Sequence, residues 1–430
     1  MIAQGRSTTY AELETEAART ARRLAARGVG PGDHVATALP AGLAFVELLH
    51  ALPKLGAVVV PINTRLTSGE RRWQIEDCGA RLVVEEPLDG EEADPRLRDE
   101  IEAGDPHSVI YTSGTSGRPK PVVLTHANHA ASAMASAWNL AVAPDDRWLC
   151  PLPLFHVGGL AVLLRSALYG TAAILHDGFH EEAALESLAS GEATLASLVP
   201  TMLRRLRAAG LEEAPALRAA LLGGGPVPRD LLEWARDLGL PVLATYGMTE
   251  TASQVATAPA GGGRRARLLP GVEVQIGSAV LPYRPTGAPS QDNDEILVRG
   301  PMVAAGALAA DGWLHTGDLG RLDSEGLLRV EGRLKDVIVT GGENVSAAEV
   351  EEALRSHPAV DDAAAVGRPD PEWGEVVTGF VVLSGPAEPS ELIEHCRERL
   401  AAFKVPKTIE PLGALPRNAA GKLVRGRLPG

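Results

Sequence analysis

The sequence predicts an α/β fold: a large, multi-layer N-terminal domain with mostly parallel sheets, followed by a small α+β C-terminal domain. Strand-like and helical runs alternate up to about residue 250, and this alternation is typical of parallel sheets covered by helices. Short strands with turns follow over about 270–332, and a short α+β pattern comes after GRLKDVIVTGGENV. The 430 residues exceed one ordinary core. We expect an N-terminal domain over 1–333 and a C-terminal domain over 334–430.

Capping residues and apolar runs mark the individual elements. Thr9-x-x-Glu12 is a capping box that predicts a helix, and Gly28 can end that helix. The segments HVATALP and AVVVPIN indicate strands, with a helix over LAFVELLHALPKLG between them. Further along, PVVLT indicates a strand and HANHAASAMASAW a helix.

Composition and charge exclude several classes of protein. The net charge of −14 argues against non-specific binding to nucleic acid or to an anionic membrane. Cys78, Cys150 and Cys396 have neither metal-ligand spacing nor a disulfide pattern. The polar N-terminus lacks a signal-peptide core, and the apolar run 149–164 is interrupted by prolines and His156. We expect a cytoplasmic protein without a membrane span.

The segment YTSGTSGRPK at 111–120 has two interpretations. Glycine and serine are common in surface linkers. Glycines can also turn successive backbone N–H groups toward a phosphate, while hydroxyls and a cation add donors. The spacing of Gly114 and Gly117, with Pro119 before Lys120, excludes the Walker pattern of P-loop NTPases. Composition alone leaves the linker and the phosphate loop equally plausible.

Lysine is rare in this chain. Of 41 basic residues only six are lysines, so arginine serves wherever a general positive charge suffices. A lysine that is retained suggests a need for a compact ammonium on a flexible stem. The six are Lys54, Lys120, Lys335, Lys404, Lys407 and Lys422.

Five segments, taken in order, carry a resemblance that covers nearly the whole chain. They are YTSGTSGRPK, LPLFHVGGL, GGGP followed by YGMTE, WLHTGDLGRLDSEG with EGRLKDVIVTGGENV, and LPRNAAGKLVR. Together they resemble the adenylate-forming superfamily of acyl-CoA synthetases, adenylation domains and luciferases. The resemblance implies that the C-terminal domain is a small, mobile lid joined by a hinge. It also implies ATP, Mg²⁺ and coenzyme A, and a reaction in two steps. A carboxylate first attacks the α-phosphate of ATP, and a thiol then displaces AMP from the acyl-adenylate.

The resemblance also implies which residues hold the nucleotide. The phosphate loop would bind the β- and γ-phosphates, the glycine segment and YG would line the adenine pocket, and HTGD and the arginine before the hinge would contact ribose or phosphate. These residues are Thr112, Ser113, Gly114, Thr115, Ser116, Gly117, Lys120, Gly223, Gly224, Gly225, Pro226, Tyr246, Gly247, Asp318 and Arg333.

Catalytic roles fall on a few further residues. Glu250 offers a hard oxygen to Mg²⁺, and Thr249 offers a hydroxyl to the α-phosphate. Lys422, carried by the lid, would stabilise negative charge in the adenylation transition state. Lys335 or Asp336 would be the pivot of the lid. Where the superfamily usually has glycine after the loop lysine, this chain has Pro121, which predicts a stiffer loop or an altered nucleotide affinity.

The segment PLFHVGGLAVLLRSALYG bears on the acid substrate. His156 matches the gate of the acyl pocket, and Arg165 follows in an otherwise apolar helix. A buried guanidinium needs an anionic partner, either a structural Asp or Glu or a second carboxylate on the substrate. With Ser197 and Thr201 as candidate pocket groups, this region is most similar to the branch that ligates o-succinylbenzoate, a dicarboxylic acid, to CoA in menaquinone biosynthesis.

Three alternatives remain open at this stage. One is a CoA ligase for another aryl or medium-chain acid, although such a mono-acid would leave Arg165 unexplained. Another is a stand-alone adenylation enzyme that loads a carrier protein. The third is an inactive relative that only binds ligands, which Lys422, Glu250 and Asp318 argue against. The expected partners are the acid, ATP and CoA, and the sequence leaves a homodimer open.

Overall fold

The computed structural model describes residues 1–3, 5–112, 119–225, 227–277, 294–340, 343–370, 373–400, 402–418 and 421–429. The chain divides into two compact units. The first holds Met1–Glu273 and Arg299–Leu314, and the second holds Val274–Val298 and His315–Gly430. The expected boundary after residue 333 therefore lies inside the second unit. Because compactness reports packing and not motion, the expected domains 1–333 and 334–430 and the position of the pivot stay predictions.

The first unit alternates strands with helices. Its helices are α1 (Tyr10–Ala26), α2 (Leu43–Leu55), α3 (Ser68–Asp77), α4 (His126–Leu140), α5 (Val157–Tyr169), α6 (Glu181–Ala189), α7 (Pro200–Ala208) and α8 (Arg229–Asp237). Its strands are β1 (Ile2–Ala3), β2 (Arg6–Ser7), β3 (His34–Thr37), β4 (Val58–Pro61), β5 (Leu82–Val84), β6 (Pro106–Thr112), β7 (Lys120–Thr125), β8 (Arg147–Cys150), β9 (Ala172–Leu175), β10 (Leu195–Leu198), β11 (Ala219–Leu222), β12 (Val242–Met248), β13 (Ser253–Thr257) and β14 (Arg267–Leu268).

Two mostly parallel sheets organise this unit. Within the described residues, the larger sheet has the order β14-β13-β12-β11-β10-β8-β9-β1-β2, and the smaller has the order β5-β3-β4-β6-β7. In the larger sheet, β12, β11, β10, β8, β9 and β1 all run parallel to their neighbours in that series. Antiparallel pairs occur at the ends of the larger sheet and between β6 and β7. The expected α/β class with mostly parallel sheets is confirmed.

The sheets are buried because their strands are apolar on both faces. Strands β4, β10 and β11 are buried at every position. Strands of this kind need helices on both sides, which agrees with the alternation along the chain. Thr9 accepts from the backbone of Glu12 as the capping box requires, and α2 covers LAFVELLHALPKL as expected.

The second unit is built mainly of antiparallel strands. Its elements are β15 (Glu273–Gly277), β16 (Asp294–Arg299), β17 (Leu314–Leu322), β18 (Leu328–Arg333), β19 (Val337–Thr340), β20 (Glu343–Ser346), α9 (Ala347–Arg355), β21 (Val360–Asp370), β22 (Gly374–Leu383), α10 (Pro389–Arg397) and β23 (Thr408–Pro411). Strands β15 to β18 form one sheet, and β20-β19-β22-β21, with β23 beside β22, form another. Val350, Leu354, Val381 and Leu392 belong to its core.

Three histidine rings are packed together inside the first unit. The ring of His107, on β6, lies 4.8 Å from that of His126 and 4.9 Å from that of His129, both on α4. Burial, and then the neighbouring rings, lowers the pKa of His107 well below its usual value. Burial also lowers the pKa of His126, and it lowers the pKa of His129 to about 3, with Arg165 adding to the effect. These rings are held in the neutral form.

None of the helices in the described ranges is long and apolar enough to cross a membrane. The three cysteines are free thiols.

We predict that the first unit loses stability in mild acid. The unfolded histidines bind protons near pH 6.5, whereas the folded rings resist protonation, so the free energy of unfolding should fall as the pH drops below 6.5. Each of the two fully buried rings can contribute up to about 1.4 kcal/mol per pH unit. Denaturant unfolding between pH 8 and pH 5 measures this slope. His107→Gln should flatten it, whereas His180→Gln, at an exposed histidine, should not. An unchanged slope in His107→Gln would contradict the assignment.

Candidate active site

Four parallel strands of the larger sheet end at one edge and carry the loops that the sequence singled out. The segment LPLFH follows β8, and GGGP follows β11. VPT follows β10, and GMTE spans the end of β12. Since ligands of open α/β sheets bind outside the carboxyl ends of the strands, this edge is the candidate active site of the first unit.

The ends of the predicted phosphate loop lie on two paired strands. Thr112 on β6 is opposite Lys120 on β7, and the Thr112 hydroxyl donates to the Lys120 carbonyl oxygen at 3.4 Å. The predicted residues Ser113, Gly114, Thr115, Ser116 and Gly117 lie outside the described residues. Lys120 is exposed. The structure therefore describes the ends of the loop.

The unusual proline after the loop lysine is accommodated by its strand. Pro121, on β7, lies opposite Tyr111 on β6, and among the described residues β7 is an edge strand of the smaller sheet. A proline is tolerated on an edge strand because the outer row of N–H groups has no neighbouring strand.

The predicted adenine-binding residues come from two adjacent strands. Gly223, Gly224 and Gly225 follow β11, and Tyr246 and Gly247 lie near the end of β12, the parallel neighbour of β11. A Cβ on Gly247 would lie 1.8 Å from the carbonyl oxygen of Ser253, so only glycine fits there. Pro226 lies outside the described residues. The structure brings the two segments to the same edge of the sheet.

Thr249 and Glu250 form a tight turn after β12. The turn Thr249–Thr251 is a single 3₁₀ turn, and the Glu250 carbonyl oxygen accepts from the Ala304 amide at 2.8 Å. Ala252 and Ser253 then adopt φ values of 49° and 129°. Non-glycine residues rarely adopt such values, and they cluster at functional sites. The strained turn holds the main chain on both sides of the Glu250 carboxylate.

The residues present fit a magnesium ion that is bound with a nucleotide. Among the described residues there is no group of three or more acidic, His or Cys side chains that could hold a metal by itself. Mg²⁺ usually keeps several waters and binds through one or two carboxylates plus the phosphates of the substrate. Glu250, half-buried at the end of β12, is a carboxylate of that kind.

His156 caps the start of α5 beside the loop after β8. Its half-buried ring packs edge-to-face on Phe155, with ring centroids 4.7 Å apart. Gly159 allows α5 to lie close to this loop, because a Cβ there would meet the carbonyl oxygen of Pro153 at 2.5 Å. His156, predicted from the sequence to be the gate of the acyl pocket, thus lies at the edge where the parallel strands end, just before the first residue of α5.

Arg165 is buried inside the first unit and is only 3% exposed. Its Nη2 atom donates to Ser132 Oγ at 3.1 Å, and its guanidinium lies 5.8 Å from the ring centroid of Trp148. The Nε atom has no hydrogen-bond partner among the described residues. No carboxylate there forms an ion pair with Arg165, and burial lowers its pKa to about 10. The structural Asp or Glu considered from the sequence is not found in the described residues.

Trp148 connects Arg165 to another predicted pocket residue. Trp148 lies on β8, and its Nε1 atom donates to Ser197 Oγ on β10 at 3.0 Å. Ser197 is buried, and its hydroxyl can still donate. Thr201, the other candidate, is exposed near the start of α7. Ser197 and Arg165 therefore belong to one buried polar group, which contains Ser132, Trp148, Arg165 and Ser197.

Two members of that buried polar group were not predicted from the sequence. Ser132 and Trp148 lie 33 and 17 positions before Arg165, so spacing gives no sign of the contact. The only available signals were a serine in the small-residue run AASAMAS and a tryptophan whose N–H needs a partner when it is buried.

The second unit pairs two of its predicted nucleotide-binding residues. Asp318 on β17 lies opposite Arg333 on β18, and Arg333 Nε is 2.9 Å from Asp318 Oδ1. Asp318 is buried, and its amide donates to Thr316 Oγ1 at 3.0 Å. The carboxylate of Asp318 therefore lies beside the Arg333 guanidinium, which contacts one of its oxygens.

The predicted hinge and the lid lysine lie in separate segments of the second unit. Lys335 and Asp336 belong to the 3₁₀ turn Leu334–Asp336 between β18 and β19. Lys422 is exposed in a tight loop near the C-terminus, where its amide donates to Asn418 Oδ1 at 2.9 Å. The described geometry agrees with these predicted roles and does not test them.

Comparison with known proteins identifies the family. Residues 1–308 match the AMP-binding enzyme family, and residues 349–422 match the AMP-binding enzyme C-terminal domain. This chain belongs to the family of AMP-binding enzymes.

Individual proteins are similar to this chain over almost its whole length. It is 42% identical to the 2-succinylbenzoate–CoA ligase of Geobacillus kaustophilus (strain HTA426), over 99% of this chain and 94% of that one. It also resembles the o-succinylbenzoate CoA synthetase of Bacillus subtilis in complex with its acyl-adenylate intermediate, with TM-score 0.91 and 37% identity over 99% and 94% of the chains. The same enzyme with ATP and magnesium gives TM-score 0.91 and 38% identity over 99% and 95%.

We predict that Arg165→Met stabilises the ligand-free protein. The substitution removes a buried charge that has no acidic partner in the described residues, and Ser132 keeps its hydrogen bond to the Ala252 carbonyl oxygen. Replacing buried charges by apolar side chains of similar size often adds about 1–4 kcal/mol of stability. Denaturant unfolding of both proteins without ligand measures the change. A marked loss of stability would mean that Arg165 has a structural role.

Proposed function

We propose that this protein is an ATP-dependent acid–CoA ligase that converts o-succinylbenzoate to o-succinylbenzoyl-CoA through an acyl-adenylate. Its family, and relatives that are similar over almost the whole chain, support the ligase class. The observation that carries the choice of acid is the buried guanidinium of Arg165, which has no acidic partner in the described part of the chain.

A dicarboxylic acid supplies two groups for this site. One carboxylate is activated as the adenylate, and the other pairs with Arg165 directly or through water. Charge-assisted hydrogen bonds of this kind are stronger than neutral ones, and a buried guanidinium without any anion is unfavourable. The Ser197 hydroxyl, which already accepts from Trp148, can donate to the same carboxylate. Thr201 remains a predicted pocket residue without a described polar contact.

In the first half-reaction, an oxygen of the acid forms a bond to the α-phosphorus while the bond to the bridging oxygen breaks and pyrophosphate leaves. Lys120 and the loop before it would hold the β- and γ-phosphates, and the Thr249 hydroxyl the α-phosphate. Glu250 would help to hold Mg²⁺, which would neutralise negative charge on the phosphates. Lys422 would add a cation where negative charge accumulates in the transition state.

In the second half-reaction, the sulfur of coenzyme A attacks the acyl carbon, and AMP leaves as the carbon–oxygen bond breaks. His156 at the start of α5 would control access to the acyl pocket. Asp318 and Arg333 would hold the ribose. A rotation of the lid about Lys335 or Asp336 would switch the enzyme from the first half-reaction to the second. The free thiols suit a reducing compartment, and a cytoplasmic location stays a prediction.

The competing functions make different demands on the site. A ligase for a mono-acid leaves the charge of Arg165 without a ligand anion, although it would use the same nucleotide site. An enzyme that loads a carrier protein would transfer the acyl group to a protein-bound thiol instead of free CoA. Exchange of labelled pyrophosphate into ATP with a panel of acids, followed by addition of CoA, separates these functions.

We predict that Arg165→Ala impairs use of o-succinylbenzoate selectively. Loss of a charge-assisted hydrogen bond should lower kcat/KM for this acid by about tenfold to more than a hundredfold. The loss should be much smaller for an analogue without the second carboxylate, and the KM for ATP should change little. Steady-state kinetics measure, for each acid, the ratio of kcat/KM in the variant to kcat/KM in the wild type.

The matched control is Arg207→Ala, which removes an arginine on α7 that pairs with Asp230 at 3.3 Å on the surface. Arg207→Ala should have the same kcat/KM as the wild type for both acids. Equal losses for the two acids in Arg165→Ala would remove the support for a dicarboxylic substrate. A wild-type protein that exchanges pyrophosphate only with other acids would disprove the choice of o-succinylbenzoate.

We also infer that two copies of the chain associate through α4 and α5. Trp138 is 80% exposed and Met134, one turn earlier on α4, is 73% exposed; Leu168 on α5 is 60% exposed. The sequence of α4, HANHAASAMASAWNL, contains no Asp, Glu, Lys or Arg. Two copies that each carry a net charge of −14 repel one another, and the proposed contact uses two helices whose sequences contain no Asp or Glu.

We predict that Trp138→Glu weakens this self-association. A charge placed at the centre of an apolar contact must be desolvated on dimer formation, so the dissociation constant should rise by about tenfold or more. Sedimentation velocity over a range of concentrations measures it. Leu238→Glu, at an exposed leucine after α8, is the control and should not change the association. A wild-type protein that stays monomeric throughout would disprove the proposal.

A further inference from the structure

The loop that carries Lys422 is closed by hydrogen bonds within itself. The Asn418 amide donates to the Lys422 carbonyl oxygen at 2.9 Å, and the Lys422 amide donates to Asn418 Oδ1 at 2.9 Å. The Val424 amide donates to the Pro416 carbonyl oxygen at 2.8 Å. These bonds join the two sides of the loop, but they do not attach it to the rest of the second unit.

Two arginines attach the loop to the body of the second unit. Arg417, before Lys422, pairs with Asp362 on β21 and donates to the Gly421 carbonyl oxygen at 2.7 Å. Arg425, three residues after Lys422, donates to the Ala365 carbonyl oxygen on the same strand at 3.2 Å. The loop is therefore held at both ends.

Arg425 makes two further contacts that reach different elements. Its Nη1 atom donates to Asp336 Oδ2 at 2.7 Å, and its Nη2 atom donates to Glu351 Oε1 on α9 at 2.6 Å. Three of its five N–H donors are thus used in one plane, which lysine cannot reproduce. The side chain of Arg425 is 24% exposed, and those of Asp336 and Glu351 are 16% and 5% exposed, so water competes weakly for these bonds.

The contact between Arg425 and Asp336 does not help to neutralise Glu351, the buried acid that Arg425 also contacts. Glu351 also accepts from the Ala365 amide at 3.0 Å, so α9 and β21 are joined without Arg425. Burial raises the pKa of Glu351, and the nearby Arg425 and Arg355 act in the opposite direction. Asp336, by contrast, lies in the turn that contains the predicted pivot, 89 positions before Arg425. Arg425 therefore connects this turn to the loop that carries Lys422.

We propose that Arg425 is a positioning residue for the first half-reaction: it holds the Lys422 loop at a fixed place relative to the hinge turn. The proposal rests on the role of Lys422 under the proposed function. If the second unit pivots near Lys335, a loop that is rigidly joined to Asp336 carries the Lys422 ammonium along one defined path. Without Arg425, the ammonium would reach the α-phosphate in many orientations, and charge stabilisation requires a fixed one.

The test compares Arg425→Gln and Arg425→Lys with Lys422→Ala and a matched control. Arg427→Gln is the control, because the exposed Arg427 lies in the same short turn as Arg425 and its side chain forms no hydrogen bond or ion pair with the described residues. One assay follows pyrophosphate release in a single turnover with ATP and o-succinylbenzoate. The other follows thioester formation from synthetic o-succinylbenzoyl-AMP and CoA. Thermal unfolding is recorded for each variant.

We expect Arg425→Gln to slow adenylate formation by about 10- to 100-fold, because small misplacements of a catalytic group have effects of this size. The KM values for ATP and acid should change less than about threefold, since the ligands are bound by other residues, and so should the rate of thioester formation. The rate of adenylate formation in Arg425→Lys should lie between those of Arg425→Gln and the wild type. Lys422→Ala should have the lowest rate, and Arg427→Gln should have the wild-type rate.

Equal losses in both half-reactions, or losses that follow the drop in unfolding temperature, would show that Arg425 is only structural. Asp336→Asn tests the connection itself: combined with Arg425→Gln it should slow adenylate formation no further than Arg425→Gln alone. Fully additive losses would overturn the proposal. Failure of the proposed function is distinguishable, because the wild-type protein would then make neither adenylate nor thioester from this acid.

Discussion

The parallel direction of β8, β10, β11 and β12 is the constraint on which the candidate site of the first unit depends. Parallel strands all end at one edge, so loops that are nearly a hundred residues apart in the chain must meet there. The edge therefore receives the His156 loop, the glycines after β11 and the strained turn of Glu250. Because the buried strands fix the positions of these loops, the loops themselves can adopt unfavourable main-chain conformations.

A second constraint is the energy of a buried charge. Arg165 is surrounded by α4, β8 and its own helix, and it contacts a hydroxyl and an indole ring but no acid in the described residues. Burial of a guanidinium in this way lowers the stability of the folded protein. That cost is consistent with a site prepared for an anionic ligand, in which the substrate contributes the missing charge.

The second unit uses its charges differently. Three of its arginines are paired with acids: Arg333 with Asp318, Arg417 with Asp362, and Arg425 with Asp336 and Glu351. Bidentate and branched contacts of arginine restrict orientation more than a single ammonium contact does. The loop that carries Lys422 is attached at both ends by partly buried ion pairs of Arg417 and Arg425.

The sequence by itself determined the fold class, the capping box of α1, the helix α2 and the order of the nucleotide motifs, because these depend on local periodicity and on contiguous segments. It also singled out Arg165 as a charge in an apolar helix. Only the tertiary structure decided that Trp148 and Ser132 are its neighbours, that Thr201 is exposed while Ser197 is buried, and that Arg425 reaches Asp336. These contacts join residues 17 to 89 positions apart, and pairing over such separations is set by how strands and helices pack, which no local pattern records.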